Sequence, residues 1–326
     1  MTAPRPQPRP AKRVMVLMGG NSSERAVSLV SGEAVAKSLA ASGYAVSTFD
    51  PAKGVAALLR ALDPAPAPAP DVVFNALHGR FGEDGCIQGL LELVGIPYTH
   101  SGVLASALAM NKPAAKRMLE TVGVRSPAGA IVSRAELLQG HPMAPPYVVK
   151  PIAEGSTVGV EVIRAGDNRT RLPEQWSYGE AVLVETYIPG RELTVGVMGE
   201  RALAVTEIRF TSSVFDYEAK YTPGRAEHII PAPVPRAIYD EAMRVALLAH
   251  RTLGCRGISR SDLRYDATRP VGENLFFLEI NTQPGFTPIS LVPEQAKHLG
   301  ISFAELAGWL VESATCEPRP ASVGGG

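Results

Sequence analysis

Four residues in the last third of the chain carry a pattern that can do chemistry: Arg260 and Asp262, then Glu279 and Asn281. Each pair is spaced by two, and side chains two apart on a strand share a face. If the two strands are neighbours, one surface carries two carboxylates, an amide oxygen and a guanidinium. Hard oxygen donors of this kind suit Mg²⁺, which usually shares its coordination sphere with phosphates. The chemistry pointed to is that of a divalent metal and a nucleotide. Plainer readings stand beside it: Arg260 with Asp262 as a strand ion pair of little worth, and Glu279 as a surface acid.

A nucleotide needs its phosphates held, and two common devices are missing. The first strand–turn runs Gly19-Gly20-Asn21-Ser22-Ser23-Glu24, without the Gly-x-Gly-x-x-Gly of a dinucleotide site. No Gly-x-x-x-x-Gly-Lys-Ser/Thr string occurs anywhere in the chain. What remains is Lys150, closing the run Tyr147 to Lys150, and the small-residue loop EGSTVG from Glu154 to Gly159. A lysine on a strand and backbone N–H groups turned inward can hold phosphate in another way.

The elements that must position these groups fall into an α/β part and an α+β part. Arg13 to Met18 reads as a strand, with helical spacing through Val27, Val30, Val35 and Leu39 to about Ser42. Ala45 to Phe49 is a second strand, Val55 to Leu62 a short helix, and Asp71 to Ala76 a third strand. That order predicts a parallel α/β domain. The loop HGRFGEDG, His78 to Gly85, leaves the third strand where open α/β sheets bind ligands. Helices are expected over Cys86 to Val94 and Asn111 to Thr121, and a capping box at Ser133 and Glu136. Strands are expected at Tyr147 to Lys150, Val160 to Arg164, Ala181 to Tyr187, Glu192 to Met198 and Arg201 to Ile208. Helices over Pro235 to Leu253 and Ser302 to Ser313 complete the reading.

The 326 residues suffice for two or three domains, and 45% hydrophobic content allows a sizeable core. The 32 basic residues balance the 32 acidic ones, which argues against nucleic acid or an anionic membrane as the main partner. No apolar run approaches the ~20 residues of a membrane span, and Met1 to Pro10 lacks the apolar stretch of a secretory signal. A cytoplasmic protein with reduced, functionless Cys86, Cys255 and Cys316 is expected. Residues 1–12 and 317–326 are expected to be disordered tails.

The strings GGNSSERAVS, HGRFGEDGCIQG, VVKP, EGSTVG, DYEAKY (Asp216 to Tyr221) and LEINTQPGFTPISLVP (Leu278 to Pro293) occur in this order. Together they make the chain resemble the ATP-grasp fold and, within it, the D-alanine–D-alanine ligases. The resemblance runs from Val14 to about Val311. It implies a three-domain ATP-grasp architecture, with an N-terminal α/β domain at 13–101, a central domain at 102–187 and a C-terminal catalytic domain at 188–316. It implies ATP-driven joining of two D-alanines through an acyl phosphate, for peptidoglycan precursor synthesis.

Carried over residue by residue, the resemblance places Lys112 and Lys150 on the ATP phosphates and Lys220 at the transferring phosphate. Glu185, Ile188 and Glu192 match the adenine and ribose contacts. Asp262, Glu279 and Asn281 match the ligands of two Mg²⁺ ions, with Mn²⁺ the open alternative. Arg260 and the Gly285 N–H match an oxyanion site. Glu24, linked through Ser156 to Tyr221, matches the site of the first D-alanine, and His78 lies on the substrate side. Ser290 and the Leu291 N–H resemble the second substrate's carboxylate site. The family also implies a homodimer.

Two departures stand out. Ser261 and Arg264 are polar where the family is usually apolar, which predicts a more exposed or more twisted strand. Thr186 stands where a lysine is frequent, which weakens one adenine contact. Two other functions compete. One is a D-alanine–D-lactate-type or other carboxylate–amine ligase on the same scaffold, which Tyr221 within DYEAKY disfavours. The other is a catalytically silent ATP-binding regulator, which the complete metal set disfavours.

Overall fold

The computed structural model describes residues 11–155, 159–166, 176, 178–210 and 226–316. Three sheets organise them. The first is parallel, in the order β2-β1-β3, from β1 (Arg13–Leu17), β2 (Ala45–Phe49) and β3 (Val72–Asn75). Val14 to Leu17 are buried along the central strand, as a parallel sheet covered on both faces requires. Helix α1 (Arg25–Ala41) covers one face with Val35 and Leu39. Helices α2 (Val55–Leu62) and α3 (Cys86–Val94) cover the other with Leu58, Leu62, Ile87 and Leu91. The parallel α/β order read from the sequence is the one adopted.

The second sheet is antiparallel, in the order β4-β7-β5-β6: β4 (Gly129–Ser133), β5 (Tyr147–Pro151), β6 (Glu161–Ile163) and β7 (Ala181–Thr186). Tyr147, Val149, Val182 and Val184 pack with Leu137 of α6 (Arg134–Gln139), whose Ser133–Glu136 capping box is formed. The third sheet runs β10-β9-β8-β11-β12. Its strands are β8 (Arg191–Met198), β9 (Arg201–Phe210), β10 (Ala226–Ile229), β11 (Ile258–Tyr265) and β12 (Leu275–Asn281).

Helix α7 (Arg236–Thr252) lays Ile238, Ala242, Val245 and Ala249 against Leu193, Val195, Leu263 and Phe277 of that sheet. Ala109 of α4 (Val103–Met110) and Ala115 and Leu119 of α5 (Lys112–Glu120) enter the same core. The last helices, α8 (Leu291–His298) and α9 (Phe303–Glu312), return to the first sheet. There Val292, Ala296, Leu306 and Leu310 share a core with Val14, Val16 and Phe74. This packing ties both ends of the chain together and fixes the loop between β12 and α8 against the first sheet.

One expectation needs correction. The polar Ser261 and Arg264 do not make β11 exposed: Ser261 is 0% and Arg264 7% exposed. The strand is central in its sheet, between β8 and β12, so its polar residues must be accommodated inside. Arg264 stands opposite Glu192, with Nη1 3.7 Å from Glu192 Oε2, and its Nε donates to the Ile188 carbonyl at 3.2 Å. The irregularity lies elsewhere, as a register shift against β12 between Asp262 and Leu263.

Candidate active site

The strand pair β11–β12 forms the floor. Asp262 stands opposite Glu279 and Arg260 opposite Asn281, the juxtaposition that the spacing of two requires. Arg260 grips Asp262 bidentately, Nε to Oδ1 at 2.9 Å and Nη2 to Oδ2 at 2.8 Å. The Thr194 hydroxyl on β8 also donates to Oδ1, at 2.7 Å. Glu279 Oε2 lies 3.2 Å from Lys112 Nζ. The Lys112 ammonium also donates to the Glu154 carbonyl, which brings the loop after β5 over the floor. Asn281 Oδ1 accepts the Gln283 N–H at 2.8 Å.

An open cleft lies between the second and third sheets. Val148, Val162 and Leu278 supply apolar wall, and Lys112, Lys150, Glu185, Ile188, Glu192, Asp262 and Glu279 also line it. Glu185 on β7 is paired with Val148 in register, so Lys150, two residues further along β5, shares its face. Lys150 Nζ lies 2.5 Å from Glu185 Oε2. The Lys116 ammonium donates to Glu185 Oε1. Burial works to raise the Glu185 carboxyl, but Lys150 and Lys116 outweigh it and hold it below the usual value. Burial, with the neighbouring Lys150 charge, pushes Lys116 down to about 7. The sequence reading missed Lys116. The available signal was its position four residues after Lys112, one turn along the same helical face.

At the far end of the floor lie two other carboxylates. Glu24 is the N-cap residue of α1, yet its side chain makes no capping bond. Its carboxylate turns instead to the loops after β3 and β5. A Cβ on Gly155 would sit 2.5 Å from Glu24 Oε2 and 3.0 Å from Glu83 Oε1, so a larger residue there would displace the two carboxylates. Glu83 Oε1 accepts the Gly79 N–H at 2.9 Å. Neither carboxylate has an ion-pair partner among the described residues. Burial raises the Glu24 carboxyl to about 7, assisted by the charges of Glu154 and Glu279. Burial and the charge of Glu24 raise Glu83 well above its usual value. Glu83 was also missed, hidden as one letter of a loop motif.

His78 is 5% exposed, with Nδ1 3.1 Å from the Gln283 carbonyl and Nε2 3.2 Å from Ser31 Oγ. A carbonyl only accepts, so Nδ1 carries the proton and Nε2 accepts from Ser31. Burial lowers its pKa to about 4, in keeping with a neutral ring. Beyond the β12 strand, the loop through Gly285 reaches Ser290, the N-cap residue of α8. Ser290 Oγ accepts the Thr287 N–H at 2.9 Å, and Leu291 opens the helix. The first N–H groups of a helix have no partner within it and favour an anion. Buried Gln295 anchors α8 to the sheet through Gly196, Thr194 and Thr206. Ser156, Lys220 and Tyr221 lie outside the described residues, as do residues 1–10 and 317–326 of the expected tails.

Two antiparallel sheets enclosing a lysine-rich cleft floored by paired carboxylates are the arrangement of a ligase of the ATP-grasp class. Models of D-Ala D-Ala ligase match the chain, the N-terminal one over residues 51–101 and the C-terminal one over 135–312. The D-alanine–D-alanine ligase of Caulobacter sp. (strain K31) is 53% identical over 96% of this chain and 97% of its own. That of Rhodospirillum rubrum is 53% identical over 94% of this chain and 99% of its own. The crystal structure of the Bacillus anthracis D-alanine–D-alanine ligase complexed with ATP superposes with a TM-score of 0.75 at 28% identity, covering 93% of this chain and 96% of that one. The chain belongs to the D-alanine–D-alanine ligase family.

Proposed function

We propose that the chain joins two D-alanines to D-alanyl-D-alanine, with its two buried, unpaired carboxylates receiving the first D-alanine as a cation. The observation that carries this reading is the contrast within one site. Lysines lie at the nucleotide end, and Glu24 and Glu83 without an ion-pair partner lie at the other. An ammonium group supplies the charge that Glu24 lacks.

The reaction has two steps. The carboxylate of the first D-alanine takes the γ-phosphoryl group of ATP, giving an acyl phosphate and ADP. The amine of the second D-alanine attacks the acyl carbon, the C–N bond forms, and phosphate leaves with the C–O electron pair. Phosphoryl transfer is catalysed largely by positioning and charge neutralisation. Lys112 and Lys150 hold phosphate oxygens, and Lys220 meets the phosphate in transfer. Glu185, Ile188 and Glu192 hold the adenosine side. Arg260 and the Gly285 N–H stabilise the oxyanion, a contribution of ~3–4 kcal/mol for a preorganised donor. Ser290 and the Leu291 N–H hold the second carboxylate. Glu24 takes the first-alanine side, the role the family resemblance also gives to Ser156 and Tyr221, and His78 lies on the same substrate side.

Asp262, Glu279 and Asn281 would hold two Mg²⁺ ions, and their two carboxylates and one amide suit that ion, which takes its remaining oxygens from phosphate and water. Bound metal would neutralise charge on the phosphates. The same proposal includes a homodimer and the boundaries 101/102 and 187/188, between which each of the three sheets is contained. It also includes a cytoplasmic setting, where ATP is at hand and the three free cysteines stay reduced. No helix among the described residues is long and apolar enough to cross a membrane.

The test is incubation with ATP and D-alanine, and with D-alanine plus D-lactate, reading phosphate release and product mass. D-alanyl-D-alanine with one ADP per dipeptide is expected in both. Formation of the depsipeptide alone at neutral pH would overturn the substrate assignment. Tight ATP binding without turnover for any D-amino acid would make the chain a regulator.

A further inference from the structure

The segment running from β3 into HGRFGEDG meets EINTQPG through two amide side chains, Asn75 and Gln283, to which the proposed chemistry gives no role. Asn75, at the end of β3, is 0% exposed, and Gln283, just after β12, is 1% exposed. Asn75 Nδ2 donates to Gln283 Oε1 at 2.7 Å and to the Gly82 carbonyl at 2.9 Å. Gln283 Nε2 donates to the Leu77 carbonyl. The Gln283 N–H goes to Asn281 Oδ1, and its carbonyl takes the His78 ring proton. Ser31 Oγ, which donates to the other nitrogen of that ring, accepts the Phe286 N–H at 3.3 Å.

Gln283 therefore links Asn281 of the floor with Asn75 at the end of β3 and with Leu77 and His78 of the loop that follows it. Both its side-chain oxygen and its side-chain nitrogen are hydrogen-bonded. A buried amide pair of this kind fixes a single register, because sliding either segment leaves both amides unpaired in an apolar setting. The two segments it joins carry different halves of the reaction. The loop after β3 leads to Glu83 and stands over Glu24, on the first-alanine side. The loop after β12 leads to Gly285 and Ser290, on the second-alanine side.

We propose that Gln283, bridged to Asn75, is a positioning residue that holds the second-alanine loop in register with the first-alanine loop. The proposal rests on the substrate assignment above. Its function is to place the attacking amine against the activated carboxyl, which is a matter of orientation rather than of ATP binding. A small misplacement in such a step lets water compete for the acyl phosphate.

The experiment compares the unaltered protein with Gln283→Ala, the shape-conserving Gln283→Met, Asn75→Ala, and the exchanged double variant Asn75→Gln with Gln283→Asn. It reads ADP and dipeptide separately, the Michaelis constants for ATP and for each D-alanine, and the melting temperature. The single variants are expected to raise the second D-alanine constant about tenfold and to release more than one ADP per dipeptide, with the ATP constant within about twofold. The exchanged pair keeps the total reach of the two side chains and is expected to recover much of the coupling. If Gln283→Met and Gln283→Ala lower the melting temperature but keep one ADP per dipeptide and unchanged D-alanine constants, the bridge is packing alone and the proposal fails. Should the unaltered protein make no dipeptide, it is the substrate assignment that fails, and that result is seen before any variant is made.

Discussion

Glu185 and Glu24 are buried to a similar depth, 2% and 6% exposed, yet they hold their protons with opposite strength. Glu185 lies against two lysines and stays ionised, whereas burial, helped by the charges of Glu154 and Glu279, raises Glu24 to about 7. Burial acts in the same direction on both, so the neighbouring charges decide the difference. The end proposed for the nucleotide is a set of cations already balanced by acid, which phosphate would replace. The substrate end is an acid waiting for a cation. The asymmetry is what supports the proposed placing of phosphate against the lysines and of an ammonium against Glu24.

The largest effect should come from the floor that both ends share. Glu279→Gln should lower turnover by about a thousandfold or more while the melting temperature changes little, since it removes charge where phosphoryl transfer develops it. Near-normal turnover would remove Glu279 from the metal set. Next, Glu24→Gln should raise the first D-alanine constant by about a hundredfold and leave the ATP constant nearly unchanged. An equal rise in both constants would merge the two ends into one.

Lys116→Met should do the reverse, raising the ATP constant about tenfold and costing about 2 kcal/mol of stability, because Glu185 keeps only Lys150 as partner. An unaltered melting temperature would show that the lysine contributes nothing to the cluster. The smallest effect belongs to Thr186→Lys, which restores the lysine frequent in the family at the cleft wall. A change of less than about threefold in the ATP constant is expected, since an exposed charge is well screened.

The floor was legible in the sequence because strand alternation converts a spacing of two directly into a shared face. Arg260, Asp262, Glu279 and Asn281 needed only neighbouring strands to meet. The parallel α/β order was legible for a similar reason, since Val14 to Leu17 and Val72 to Asn75 are short apolar runs bounded by turns. Lys116 and Glu83 were not, because their partners lie 69 and 59 positions away in sequence and only folding joins them. The buried Arg264 was misjudged because its accommodation depends on Glu192 and the Ile188 carbonyl, both on another segment. Helix α8 was missed because it spans only eight residues, too short for its apolar spacing to register. The edge strands β4 and β10 are short and were passed over.

Glu24 also gives the molecule a pH dependence with a definite sign. Its pKa in the folded chain lies above the usual 4.5, at about 7. Between those values the unfolded chain binds fewer protons than the folded one. The stability this group contributes is thus complete below 4.5 and is lost as pH rises toward 7. A bound ammonium needs the ionised carboxylate, so ligand binding and proton release oppose each other there.

The most direct test is the pH profile of kcat/KM at the first D-alanine site, in the unaltered protein and in Glu24→Gln, from about pH 6 to about pH 8. A rise with pH through about 7 that disappears in Glu24→Gln, with the ATP profile unaffected, is the predicted result. A profile that is flat in the unaltered protein, or that survives the substitution, would contradict the assignment of Glu24 as the seat of the first ammonium.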